Sequence, residues 1–185
     1  MRFGLICLTL LLFGVAVTVG AQEKKMKIYI SADMEGVVGA VTAEQLGPTG
    51  FEYQRFREFM TQEVNAAIEA AFEAGATEVV VSDSHGNGQN LLIEKLPKNI
   101  LLVRAFPRPL MMMQGIDETF AGVIFLGYHA STTNPQGVRA HTMSSARLAD
   151  VRLNNISMSE GGVNAAIAGR VLIFELPAAP SASQR

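Results

Sequence analysis

Little sulfur chemistry is open to this chain. Of its 185 residues one is a cysteine, Cys7, and it lies in the apolar N-terminal run, so a chain cut after that run has no disulfide and no thiol nucleophile. Cys7 also falls too early to be the lipidated cysteine of a lipoprotein signal. Blocks of one charge are missing too. Lys and Arg number 15 and Asp and Glu 17, for a net charge of −2. No Lys/Arg stripe and no basic cluster with aromatics occurs, which excludes a nucleic-acid partner. There is no tryptophan and no internal repeat. What remains is an ordinary globular composition, 49% hydrophobic, at a length that suits one domain with a sizeable core.

The one long hydrophobic run is N-terminal. Arg2 precedes an uncharged stretch from Leu5 to Val19, and Val19-Gly20-Ala21 offers small residues before the polar Gln22-Glu23-Lys24-Lys25. This is the pattern of a secretory signal peptide over 1–21, cut after Ala21, and the run is short for a span of about 20 residues. The expectation is a periplasmic or secreted protein with no membrane attachment after cleavage. Cleavage removes Arg2 and no acid, which takes the net charge from −2 to −3.

Three short β-branched runs read as buried strands: Lys27–Ala32, Glu78–Ser82 and Gly122–Leu126. Between the first two, Phe56, Met60, Val64, Ile68 and Phe72 recur every four residues, which predicts a helix over 52–74 that Gly75 ends as a left-handed cap. Strand, helix, strand of this kind is a βαβ unit with parallel strands. Further along, 91–96 reads as a short helix or turn and Leu101–Ala105 as another strand. The segment 111–120 opens on a methionine run that suits core filling, Asp150–Asn154 reads as a hairpin arm, and 159–169 as a helix. The fold class is α/β, a mostly parallel sheet with flanking helices. The domain runs from 22 to 176, and 177–185 has the composition of a disordered tail.

Each of the three firm strands leads into a residue able to bind metal. Asp33 and Glu35 follow the first, and at i and i+2 on an extended segment they point the same way. His85 follows the second, in Ser82-Asp83-Ser84-His85-Gly86, and His129 follows the third, in Gly127-Tyr128-His129-Ala130. In open α/β sheets ligands bind beyond the carboxyl ends of the strands, so carboxylates and imidazoles reach one edge. Mixed N/O donors suit Zn²⁺ or a similar ion, and several carboxylates permit two ions bridged by one of them. Asp83 reads as a loop residue or as one that orients an imidazole. His141, in Ala140-His141-Thr142-Met143, is either free to act on substrate or a surface residue.

K-I-Y-I-S-A-D-M-E-G-V-V-G, V-S-D-S-H-G, F-L-G-Y-H-A, A-H-T-M and S-E-G-G-V-N-A-A-I-A-G, in this order, resemble the zinc D-aminopeptidases of the DppA type, from about Met26 to Gly169. The resemblance implies two Zn²⁺ per subunit, with Asp33 shared between them and Glu35, His85, His129 and Glu160 completing the set. It implies His141 as the catalytic histidine, described in the family as nucleophile. It also implies small peptides with an N-terminal D-residue as substrate, and a ring-shaped homodecamer. Without it, Glu160 reads as an acid placed at a helix N-terminus.

The chain departs from that family after the 159–169 helix. Members continue into a further region, whereas here Arg170–Leu176 leads into the Pro/Ala/Ser tail. The expectation is therefore a metalloaminopeptidase lacking the family's C-terminal region. Part of its sheet should expose Val171, Ile173 and Phe174, leaving the protein poorly soluble or inactive alone. A two-metal hydrolase of another amide or ester, or a non-catalytic metal-binding remnant, are the alternatives.

Overall fold

The computed structural model describes residues 25–171. Strand β1 (Lys27–Ala32) leads through a long loop into helix α1 (Tyr53–Glu73), which returns the chain to β2 (Glu78–Asp83). Then come β3 (Leu101–Val103), β4 (Phe120–Leu126), a small hairpin of β5 (Arg152–Leu153) and β6 (Ile156–Ser157), and helix α2 (Glu160–Val171). The first four strands form one parallel sheet in the order β3-β2-β1-β4. From β1 the chain steps outward to β2 and β3, then crosses back to lay β4 on the other side of β1. The switch point where ligands collect in such sheets therefore lies between β1 and β4.

Strand periodicity sorts the core into two layers. Ile30, Ala32, Val79 and Val81 face α1, whose Phe56, Met60, Val64 and Ile68 are all buried against them. The opposite face carries Tyr29, Val80 and Phe120, which pack with Met113, Ile116 and Ala168 of α2. Gly75, at φ 96°, ends α1 as a left-handed cap, and its N–H donates to the Phe72 carbonyl at 2.9 Å. The α/β architecture expected from the sequence is thus the observed one.

Several local expectations shift. In the 111–120 segment a single 3-10 turn spans Met111–Met113. Met112 and Met113 are buried as core-filling predicts, but Met111 is 45% exposed. The 91–96 segment holds one 3-10 turn at Ile93–Lys95. The third strand stops at Val103, because Ala105 turns to φ 66° and donates its N–H to the Gly88 carbonyl. The 150–154 segment does pair as a hairpin, turning through Asn154 and Asn155 at φ 50° and 65°, the left-handed pair of a type I′ turn. Val171 is half-buried against the second core layer rather than exposed. Ile173, Phe174, the tail at 177–185 and the signal at 1–21 lie outside the described residues. Among the described residues no helix is long and apolar enough to cross a membrane.

At the switch point the loops leaving β1 and β4 run in direct backbone contact. The Asp33 N–H donates to the Leu126 carbonyl at 2.8 Å and the Gly36 N–H to that of Gly127 at 2.7 Å. Side chains could not be tolerated here. A Cβ on Gly127 would sit 2.1 Å from the Asp33 carbonyl oxygen, and one on Gly36 2.4 Å from that of Tyr128. Gly127 also has φ 65°, a conformation costing other residues about 1–3 kcal/mol. Gly127→Ala is expected to destabilise the protein by at least about 2 kcal/mol in urea unfolding. Gly47→Ala, with nothing within 4 Å of its added carbon, should stay within about 0.5 kcal/mol of wild type.

Candidate metal centre

Asp33 follows β1, and Glu35 lies in the turn beyond it, where the Val37 N–H donates to the Met34 carbonyl at 3.1 Å. The extended i, i+2 geometry expected of the pair is thus replaced by a turn, yet both carboxylates reach the same imidazole. His85 Nδ1 lies 3.1 Å from Asp33 Oδ1 and 2.8 Å from Glu35 Oε2. His129, beyond β4, places Nε2 3.5 Å from Asp33 Oδ2 and 3.5 Å from Glu160 Oε1. Glu160 is the first residue of α2, so its place near the helix N-terminus and its place in the cluster coexist. His141 Nε2 lies 3.5 Å from Glu160 Oε1 and 3.8 Å from Glu35 Oε1, and its ring stacks on His129 with centroids 4.0 Å apart. All three histidines of the chain therefore meet three carboxylates at one sheet edge.

The hydrogen bonds on the far side of each ring set which nitrogen faces inward. His85 Nε2 donates to the Leu46 carbonyl at 2.6 Å, so in the neutral ring Nδ1 presents its lone pair to Asp33 and Glu35. His129 Nδ1 donates to its neighbour Ala130's carbonyl at 3.0 Å, and His141 Nδ1 to Arg139's at 2.9 Å, which leaves both Nε2 atoms as inward lone pairs. Asp83, by contrast, orients no imidazole. Its two oxygens accept from the Asn90 backbone N–H and side-chain amide and from the Leu91 N–H, at 2.6, 2.8 and 2.8 Å. It thereby folds the 83–91 loop from which His85 projects.

Buried lone pairs facing buried carboxylates require a cation between them. Without metal the proton takes that part. Burial disfavours charge on His85, but its hydrogen bonds to Asp33 and Glu35 prevail and carry its pKa to about 11. Burial likewise opposes charge on His129, while the Glu160 carboxylate and the Ala130 carbonyl raise it to about 9. Asp33 is raised to about 7, by burial first and the nearby Glu35 charge next, against the lowering pull of His85. Glu35 is also pushed up by burial, but its hydrogen bond to His85 and that ring's charge override this and leave it at about 2.

Two atoms find no such partner. Asp33 Oδ2 and His129 Nε2 are both buried without a hydrogen bond, and they face each other at 3.5 Å. Two donors on one tetrahedral ion with bonds of 2.0–2.2 Å lie about 3.4 Å apart, so their spacing suits a shared Zn²⁺. Asp33, Glu35 and His85 form one such group, Asp33, His129 and Glu160 a second, and Glu35, His129 and His141 a third. Within each group the donor atoms lie within 4.8 Å of one another. The residues therefore fit a metal.

Two backbone groups of the site carried no obvious signal in the sequence. One is the Leu46 carbonyl. The other is the Met143 N–H, which donates to Glu160 Oε1 at 2.6 Å from a residue at φ 61°. Beneath them, the Met112 carbonyl accepts from the hydroxyls of Tyr29, Ser31 and Ser84, each at 3.2 Å. Tyr128, whose hydroxyl bonds Ser31 at 2.7 Å and Asn164 at 2.9 Å, ties this floor to α2.

A parallel sheet with carboxylates and imidazoles gathered at its switch point defines an α/β protein with a candidate metal centre. Comparison with known proteins narrows this. The peptidase M55 family, described as D-aminopeptidase, matches residues 26–173, and the chain belongs to that family. It is 40% identical over 144 residues to a D-aminopeptidase of Bacillus subtilis (strain 168), covering 78% of this chain and 52% of the relative. A solved structure, the Zn-dependent D-aminopeptidase DppA from Bacillus subtilis, described as a self-compartmentalizing protease, matches with a TM-score of 0.73 at 40% identity. That match covers 79% of this chain and 53% of the other. The chain thus spans about half the length of the relatives it matches.

The metal-free protein carries protons that the unfolded chain does not. Asp33, His85 and His129 all have raised folded pKa values, and the lowered Glu35 offsets them only below about pH 5, so from there to about pH 11 the folded state binds more protons than the unfolded one. Its stability should therefore fall as pH rises. Thermal melts of chelator-treated protein are expected to show Tm decreasing from pH 6 to 9. Zinc, which displaces those protons, should raise Tm more at pH 8 than at pH 6.

Proposed function

We propose that this chain is an exported, zinc-dependent aminopeptidase that releases the N-terminal D-residue of short peptides at a dinuclear site. One observation carries the two-ion reading. The Asp33 carboxylate turns Oδ1 to His85 and Oδ2 to His129, so it stands between two donor groups and suits a bridging ligand. Glu35 and His85 would complete one position, and His129 and Glu160 the other. Bound zinc supplies Lewis-acid polarisation of the scissile carbonyl.

The chain's own groups supply the rest. His141 keeps its Nε2 lone pair toward the pocket through its Nδ1 bond to Arg139, which suits a nucleophile or a proton acceptor. In the metal-free site the His85 ring holds Glu35 ionised, and the Met143 N–H fixes the Glu160 carboxylate. The pocket they border holds about 160 Å³, below the roughly 300 Å³ at which drug-sized sites begin, which suits a small residue. The D-configuration rests on the family, export on the pattern of residues 1–21, and self-association into a homo-oligomer on the relative described as self-compartmentalizing.

Asp33→Ala should lose both ions, since no carboxylate would then offset the repulsion between them; elemental analysis of the purified variant reads this. His141→Gln should keep stoichiometric zinc while hydrolysis of D-Ala p-nitroanilide falls about 100-fold or more. Loss of zinc in that variant would make His141 a ligand, as its nearness to Glu35 and Glu160 allows. If wild type holds two zinc ions yet hydrolyses no D-residue amide, the 185-residue chain is a metal-binding protein without turnover.

A further inference from the structure

Residues 33–52 connect β1 to α1, and beyond Glu35 the loop makes a hydrogen bond to a site imidazole through the Leu46 carbonyl on His85 Nε2. A backbone carbonyl can hold an imidazole only if its loop is held in turn. Leu46 and Gln45 are buried, at 8% and 6% exposure, and the Gln45 side chain supplies the hold. Its Oε1 accepts the N–H groups of Val41 at 2.7 Å and Thr42 at 2.9 Å, and its Nε2 donates to Glu52 Oε2 at 3.1 Å. Glu52 immediately precedes α1, which packs on the sheet, so one amide ties the loop both to itself and to the rigid core. Gly50 tightens the same loop, where an added Cβ would sit 2.1 Å from the Glu44 carbonyl oxygen.

We propose that Gln45 is a positioning residue for the metal centre: by holding the Leu46 carbonyl on His85 Nε2, it keeps His85 Nδ1 aimed at Asp33 and Glu35. It rests on the ligand set proposed above. It does not touch substrate. Its side chain can be exchanged without removing the contact, because a carboxylate at 45 would accept the same two N–H groups and an amide at 52 would donate back.

The test titrates zinc against a chromophoric chelator and reads the His85 ring by ¹⁵N NMR in the zinc-loaded protein. Gln45→Ala is expected to weaken one of the two zinc positions about 10–100-fold. The His85 ring should also lose its single Nε2–H form. The swap Gln45→Glu with Glu52→Gln should restore both. Should Gln45→Ala fail to fold, Glu52→Ala, which removes the acceptor of the Gln45 amide together with a 3.9 Å ion pair to the exposed Arg55, is expected to give the same direction of change. Zinc affinity within twofold of wild type and an unchanged His85 ring in the folded variant would overturn the positioning role while leaving the ligand set intact. A wild-type protein that binds no zinc would overturn both.

Discussion

Three carboxylates, on Asp33, Glu35 and Glu160, are between 2% and 8% exposed and converge on three imidazole nitrogens. Burying that much like charge is unfavourable unless a cation lies among it. The rest of the site answers to this need. Without metal, two imidazoles hold protons well above their ordinary pKa, while Asp33 Oδ2 and His129 Nε2 are left without partners. With metal, the same lone pairs and oxygens would form its donor set.

Convergence on this scale depends on backbone contact more than on the ligands themselves. Asp33 and His129 leave neighbouring strands. Their oxygen and nitrogen come within 3.5 Å because Gly36 and Gly127 let the two exits lie against each other. The shell behind them follows the same logic, with each imidazole held by a carbonyl on the side away from the pocket. Two of those carbonyls, on Ala130 and Arg139, are within two residues of the ring they hold. That of Leu46 is 39 residues away, and a loop with its own fastening has to deliver it.

Hydrophobic period and residue type made much of this legible in the chain. The four-residue recurrence from Phe56 to Ile68 marked α1, and the β-branched runs marked β1, β2 and β4, because burial on both faces leaves them almost wholly apolar. Polar residues right after such runs then marked Asp33, His85 and His129, since parallel strands all present their carboxyl ends at one edge. Glu160 was different. An acid at the start of a helix has a sufficient local reason to be there, and the family motif supplied its second role.

Three-dimensional contact decided the remainder. That Glu35 reaches His85 from a turn, that Asp83 folds its loop instead of orienting a ring, and that Asp33 divides its two oxygens between two histidines are all set by strand order and loop path. The Leu46 carbonyl could not be inferred at all, because every residue carries a carbonyl and residue type says nothing about where it points. A Thr42-x-x-Gln45 pattern does hint at a fastened turn, though not at what the turn holds. Residue identity and spacing by themselves determined the α/β class, the buried strands and that Asp33, Glu35, His85 and His129 could bind metal. Only the tertiary structure decided which atoms of those side chains meet, because that depends on backbone approach between segments remote in the chain.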